Sequence, residues 1–210
     1  MQIKRGYFIT LEGCEGSGKS TQSERLKEYL TEIGADAVYT REPGGTPIAE
    51  KIRSIILDGK NGEMTDETEA LLYAAARIQH VKEKILPLVS EGKIVVCDRY
   101  IDSSFAYQAY ARGLGYDFVA NVNSEAMKIC MPDLTIFFDI SPEAAFRRKG
   151  GADKGDRIEQ SGMAFHNAVY QGYKALAEKF PNRIVVINSD GDKDEIFSKV
   201  KSEINKLLGR

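Results

Sequence analysis

Five short apolar runs, each continuous rather than alternating, constrain this 210-residue chain more than any other feature. They read YFITLE (7–12), AVYT (37–40), IVVCD (94–98), LTIFFDI (134–140) and IVVIN (184–188). A run of this kind suits a strand covered on both faces, whereas a strand with one wet face would alternate. Between the runs lie stretches with helical period. Leu26, Tyr29, Leu30 and Ile33 share one face of the first, and Ile196, Val200, Ile204 and Leu207 stripe the last. Thr46-Pro47 reads as N-cap and first residue of the second helix, with Gly59 just past its end. A longer helix is expected from Thr65 or Asp66 past Ile85, with Pro87 bending or ending it, and Ser141-Pro142-Glu143 opens another. The alternation implies an α/β fold: a five-stranded parallel sheet flanked by helices. The length suits one domain over residues 1–210.

Charge and composition narrow the partners. With 29 basic and 31 acidic residues the net charge is −2, which gives no electrostatic reason to expect a nucleic acid polymer. No apolar run approaches the ~20 residues that cross a bilayer, and no charged-then-apolar leader is present. The expectation is a soluble, cytoplasmic protein with no membrane partner. Cys14, Cys97 and Cys130 are far apart and lack C-x-x-C spacing, so they read as small buried side chains rather than zinc ligands or disulfide partners.

The chemistry starts at EGCEGSGKST (12–21). Gly13-x-x-x-x-Gly18-Lys19-Ser20 follows an expected strand and opens an expected helix, the context of a phosphate-binding P-loop. Gly13, Cys14, Glu15, Gly16, Ser17, Gly18, Lys19, Ser20 and Thr21 are therefore candidate ATP-binding residues. Glycines let successive backbone N–H groups converge on phosphate, and the helix N-terminus adds its dipole. Lys19 can bridge β- and γ-phosphates. Ser20 can ligate Mg²⁺, with Asp98 acting directly or through water. Glu15 is the anomaly, a carboxylate inside a loop built for anions.

A guanine-reading switch would need Asn-Lys-x-Asp after a late strand, and NSDGDKD (188–194) lacks that order. A motor ATPase would close its strand with an acidic pair, but IVVCDRY ends in a single Asp98 followed by Arg99. An arginine beside an Mg²⁺-side aspartate suits a second bound phosphate, and so transfer between two molecules. RRKGGADKGDR (147–157) is basic, glycine-containing and apolar-free, as expected of a mobile lid.

Together with that loop, TREPGGTPIAEKIRSIIL, LLYAAARIQH, CDRYIDSSFAYQAYARG, PDLTIFFDI and DRIEQ resemble the thymidylate kinase family over essentially the whole chain. REPGGT and DRYIDSSFAYQ are far more specific than the P-loop. The resemblance implies the P-loop NTPase fold, phosphorylation of dTMP to dTDP by ATP, Mg²⁺ as cofactor, and a homodimer through helices around 65–89 and 104–130. It also implies that Arg41, Arg53 and Arg99 surround the acceptor phosphate, and that Pro43 shapes the pocket from a turn where a cis bond is possible. Tyr73, where phenylalanine is common, would stack on thymine, and Arg77 would bond its O4 edge. Ser103, Ser104 and Gln108 would complete base recognition, with Tyr107 against the sugar C2′.

Glu15 would then accept the sugar 3′-hydroxyl and pair with Arg99. Gly16 stands where some members carry an arginine, so the missing positive charge is expected from the lid. Arg157 is the first choice for the transferring phosphate, with Arg148, Lys149 and Lys154 behind it and Arg147 stacked on adenine. Lys19, Arg99, Arg157 and Glu15 are the candidate catalytic residues, while His80 and His166 read as ordinary helix residues. Two other functions stay open: another nucleotide or deoxynucleoside kinase, and a non-catalytic P-loop switch.

Overall fold

The computed structural model describes residues 5–148 and 156–210. All five expected strands form: β1 (Phe8–Glu12), β2 (Ala37–Arg41), β3 (Ile94–Asp98), β4 (Leu134–Asp139) and β5 (Ile184–Asn188). Every pairing is parallel, in the order β2-β3-β1-β4-β5. The side-chain period of two splits the apolar residues between faces. Phe8, Val95, Cys97 and Phe137 pack with Val81, Ile85, Phe105 and Tyr173 on one side. Ile9, Leu11, Val96 and Phe138 pack with Leu26, Leu30, Val200 and Ile204 on the other. Full burial of such side chains contributes roughly 1.5–3 kcal/mol each.

The edge strands depart from the expectation. β2 is half-buried up to an exposed Arg41, and Val186 in β5 is 48% exposed. A continuous apolar run marks a strand without telling a central one from an edge.

The order of strands positions the site. The chain runs from β1 out to β2, returns to β3 beside β1, then crosses to β4 on the opposite side. Connections diverge at the carboxyl ends of the central strands, where an open α/β sheet leaves its binding crevice. The Gly13 loop leaves β1 there, and Asp98-Arg99 leaves β3.

The flanking helices are α1 (Lys19–Glu32), α2 (Pro47–Leu57), α3 (Asp66–His80), α4 (Leu86–Ser90), α5 (Ile101–Ser104), α6 (Tyr116–Val122), α7 (Ser124–Ile129), α8 (Pro142–Arg148), α9 (Met163–Lys179) and α10 (Lys193–Leu208). Thr65 caps α3 by accepting from the Thr68 N–H at 3.3 Å. Pro87 neither bends nor ends the long helix at its own position. A π-helical turn at Val81–Ile85 precedes it, and Pro87 sits in the first turn of α4, where a missing N–H is tolerated. A second π-helical segment, Phe105–Ala111, continues α5. Its partner α9 approaches closely because residue 172 is glycine: a Cβ there would lie 3.0 Å from Ala106 Cα and from Tyr110 Cβ. The three cysteines are buried free thiols. Among the described residues no helix is long and apolar enough to cross a membrane. Most of the expected lid, including Lys149 and Lys154, lies outside the described residues.

Candidate active site

The loop after β1 turns sharply at Gly13, whose φ is 147° and where a Cβ would meet the Phe138 carbonyl oxygen at 2.9 Å. Lys19, buried, folds back so that its ammonium donates to the Gly13 and Cys14 carbonyls, both at 3.1 Å. Burial, reinforced by the nearby Arg99 charge, pushes the Lys19 pKa down to about 8. The site thus carries positive charge that an anion would stabilise. Ser20, Thr21, Asp98, Arg99 and Arg148 line the cleft along this loop. Asp98 Oδ1 and Ser17 Oγ are buried there without a hydrogen-bond partner. An unsatisfied carboxylate oxygen is costly in a folded chain and fits a site that receives a ligand.

Beyond the loop, Thr21, Gln22, Arg148, Ser189, Gly191 and Lys193 line an adjoining cleft. Arg148, at the end of α8, donates to the Ser189 carbonyl at 2.8 Å and to Asp190 at 3.1 Å. Arg147, the expected adenine contact, is exposed and lines neither cleft. Neighbouring helical residues point about 100° apart, and of the two it is Arg148 that borders both clefts.

Every residue expected at the acceptor lines a single further cleft: Glu15, Arg41, Pro43, Arg53, Tyr73, Arg77, Arg99, Ser103, Ser104, Tyr107 and Gln108. Glu15, Asp98 and Arg99 belong to both this cleft and the loop cleft, so the two meet there. The Glu15 carboxylate is 3.5 Å from the Arg99 guanidinium. The Glu42–Pro43 bond is cis, as the turn allowed. Arg41 and Arg53 both donate to the Pro43 carbonyl, at 3.0 and 2.8 Å. Burial and the neighbouring Arg41 charge push the Arg53 pKa down, a repulsion that a phosphate would relieve.

Arg77, expected to bond the base O4 edge, lines the acceptor cleft yet is deeply buried. It is 1% exposed and donates to Glu42, Ser104, Asn123 and the Tyr100 carbonyl. Most of its donors are therefore occupied within the protein. His80 is likewise more than a helix residue. Fully buried, it joins Glu42 at 3.0 Å to Thr40 at 2.8 Å. The π-helical winding, with Arg112 N–H bonded to the Tyr107 carbonyl at 2.9 Å, brings both Tyr107 and Gln108 inside. The Arg99 guanidinium lies 5.3 Å from the Tyr107 ring centroid. Burial pushes the Tyr73 hydroxyl pKa up.

Arg157 is not aimed at the phosphate loop. It donates to the Ile56 carbonyl at 2.9 Å and to buried Glu69 at 2.5 Å. Glu69 also accepts from Gln108 at 2.9 Å and from Arg112 at 3.0 Å. A fully buried carboxylate binds the nearest cations strongly, and this one captures the arginine flanking the expected lid.

Sequence reasoning missed Glu12, Glu42, Glu69 and Tyr173, and also Tyr100, Asp156 and His166 on the wall of the acceptor cleft. Glu12 and Glu42 lie inside the quoted motifs, but an acid at a strand end carries no spacing that announces a buried role. Burial and the charge of Asp102 push the Glu12 pKa up to about 7, against the Ser103 hydrogen bond and Arg99.

A family model described as thymidylate kinase matches residues 11–200. The chain belongs to the thymidylate kinase family. Among its relatives, the thymidylate kinase of Clostridium novyi (strain NT) is 47% identical over 201 residues, spanning 95% of this chain and 98% of that protein. The thymidylate kinase of Oceanobacillus iheyensis is 50% identical over 206 residues, spanning 97% and 91%. In structure the chain is similar to the crystal structure of thymidylate kinase from Ehrlichia chaffeensis, with a TM-score of 0.77 and 32% identity over 96% of this chain and 99% of that one. The thymidylate kinase assignment thus rests on sequence and fold over nearly the whole length.

Proposed function

We propose that this chain transfers the γ-phosphoryl group of ATP to dTMP, giving dTDP and ADP. The observation that carries the reading is the junction of two clefts at Glu15, Asp98 and Arg99, one built on a phosphate loop and the other lined by arginines. Family membership supports the choice of substrates.

Phosphoryl transfer needs positioning and charge neutralisation more than covalent chemistry. Loop N–H groups and Lys19 hold the donor phosphates, and Arg148 supplies a cation between the loop cleft and the adjoining cleft. When bound, Mg²⁺ would supply charge neutralisation for the donor phosphates, and Ser20 and Asp98 would hold it. The unpartnered Asp98 oxygen fits that role. Among the described residues no cluster of three His, Cys, Asp or Glu could cage a metal, as suits an ion held largely by substrate phosphates.

Arg99 binds the acceptor phosphate, with Arg41 and Arg53 swinging from the Pro43 carbonyl to join it. Tyr73 stacks on the base. Gln108, its amide nitrogen taken by Glu69, offers its carbonyl to a base N–H. Tyr107 sits against C2′ and excludes a ribose hydroxyl, while Glu15 takes the 3′-hydroxyl. No general base is required, because a phosphate acceptor is already ionised at neutral pH. The enzyme works in the cytoplasm as a homodimer; exposed Leu71 and Tyr110 lie on the helices expected to form the face, and exposed Ile48 and Ile55 on α2 add a second candidate.

The test is an acceptor screen: ATP and Mg²⁺ with each nucleoside monophosphate in turn, products separated by chromatography. dTDP should form fastest. Equal turnover of several monophosphates would move the chain to a broader nucleotide kinase, and hydrolysis without acceptor dependence would make it a switch.

A further inference from the structure

Glu12 ends β1 with its carboxylate fully buried, one residue before the phosphate loop. Its Oε1 accepts the Tyr100 N–H at 2.7 Å and the Ser103 N–H at 3.3 Å. Its Oε2 accepts the Ser103 hydroxyl at 2.6 Å and the Tyr173 hydroxyl at 2.8 Å. An ionised carboxylate has about four lone-pair sites, and here four donors converge on them. Each donor belongs to Arg99's surroundings. Tyr100 follows it in the chain, and the Arg99 guanidinium itself reaches Ser103 Oγ at 3.4 Å and Tyr173 Oη at 3.2 Å.

Two features of Arg99 call for such an anchor. Its φ is 66°, the only left-handed non-glycine residue among those described, so its backbone must be held from outside. Its own N–H bonds the Leu11 carbonyl at 3.0 Å, and the next N–H bonds Glu12. β1 thus grips the strained residue from both sides. The guanidinium also needs oxygen lone pairs rather than O–H groups facing it. Ser103 Oγ and Tyr173 Oη also lie 2.8 Å apart, so one of these hydroxyls can donate to the other while Glu12 takes the remaining proton, and both oxygens are left to accept from Arg99.

We propose that Glu12 is the positioning residue for Arg99: it holds the left-handed turn after β3 and sets the polarity of Ser103 and Tyr173, aiming the guanidinium at the acceptor phosphate. The inference rests on the reading of Arg99 as the acceptor-phosphate ligand. An apolar residue at position 12 would leave the Tyr100 and Ser103 N–H groups buried without acceptors. Glutamine would keep the shape but bring an N–H₂ into an all-acceptor position and reverse one hydroxyl toward Arg99.

The experiment is calorimetric binding of dTMP, thymidine and ADP to the wild type, Glu12→Gln, Arg99→Ala and the double variant. Thymidine lacks the phosphate and reports the base pocket alone, and ADP reports the donor loop. Glu12→Gln should weaken dTMP about tenfold, the scale of one charge-assisted hydrogen bond, with thymidine and ADP changed less than about twofold. On the Arg99→Ala background the Glu12 change should cost no further dTMP affinity, since a residue acting through another has nothing left to position. Tyr173→Phe, which removes one of the two hydroxyls, should weaken dTMP selectively by about threefold and serves if Glu12→Gln folds poorly. Equal weakening of thymidine and dTMP, unchanged dTMP binding, or a loss that persists without Arg99 would each overturn the proposal. A wild type that binds thymidine as tightly as dTMP would instead overturn Arg99 as phosphate ligand, and this inference with it.

Discussion

The Glu15 carboxylate lies 3.5 Å from the Arg99 guanidinium, at the point shared by the phosphate-loop cleft and the acceptor cleft. An acid inside a loop built for anions thus has cations beside it, Arg99 in contact and Lys19 near enough to feel its charge.

Glu15→Gln should therefore lower kcat/KM for dTMP about tenfold or more while KM for ATP changes less than about twofold. Steady-state kinetics with each substrate varied in turn decides it. Unchanged kcat/KM for dTMP would remove Glu15 from acceptor recognition.

Arg148 and Arg157, both within the expected lid stretch 147–157, should separate by substrate. Arg148 bonds Ser189 and Asp190 beside the phosphate loop, so Arg148→Ala should raise KM for ATP about fivefold with little change for dTMP. Arg157 is bound to Glu69, which also holds Gln108, so Arg157→Ala should raise KM for dTMP and lower Tm. The stability loss is on the order of 1–2 kcal/mol, because Arg112 still faces the buried carboxylate. A large fall in kcat with Tm and both KM values intact would instead return Arg157 to the transferring phosphate.

How far the sequence revealed this site depended on how local each signal is. The five strands and the phosphate loop were legible because continuous burial and Gly-x-x-x-x-Gly-Lys-Ser spacing are properties of neighbouring residues. Glu12 and Tyr173 were not, since the bond that joins them spans 161 residues and neither position stands out by pattern. Arg147 could not be told from Arg148 in a charge run, because helical phase decides which one faces the loop. The capture of Arg157 depended on Glu69, an acid in the first turn of α3 that reads as a helix-dipole partner yet is fully buried.

Stability should carry the signature of Glu12 titration. Its pKa is raised from 4.5 to about 7, so between those values the folded chain binds more protons than the unfolded one. Stability contributed by the protonated form is then present at low pH and lost as pH rises through about 7. The groups facing it are Asp102, which raises the pKa, and Arg99, Ser103 and Tyr173, which lower it. Wild type should lose stability relative to Glu12→Gln as pH rises from about 5 to about 8. Denaturant titrations at each pH measure the difference, and parallel pH curves for the two proteins would contradict it.

Ile55 is 47% exposed and Ile48 51% exposed on the outer face of α2. If that face joins two copies, Ile55→Asp should shift sedimentation from dimer to monomer without lowering thymidine binding by more than about twofold. A wild type that sediments as a monomer would remove the homodimer.

The central claim is that donor and acceptor phosphates meet end to end at Glu15, Asp98 and Arg99. A bisubstrate compound joining adenosine and thymidine through five phosphates tests it most directly in a calorimeter. Binding at least about a hundredfold tighter than ATP or dTMP, and competitive with both, is expected when one ligand fills two connected sites. Affinity no better than that of ATP, with dTMP still able to bind alongside, would contradict it.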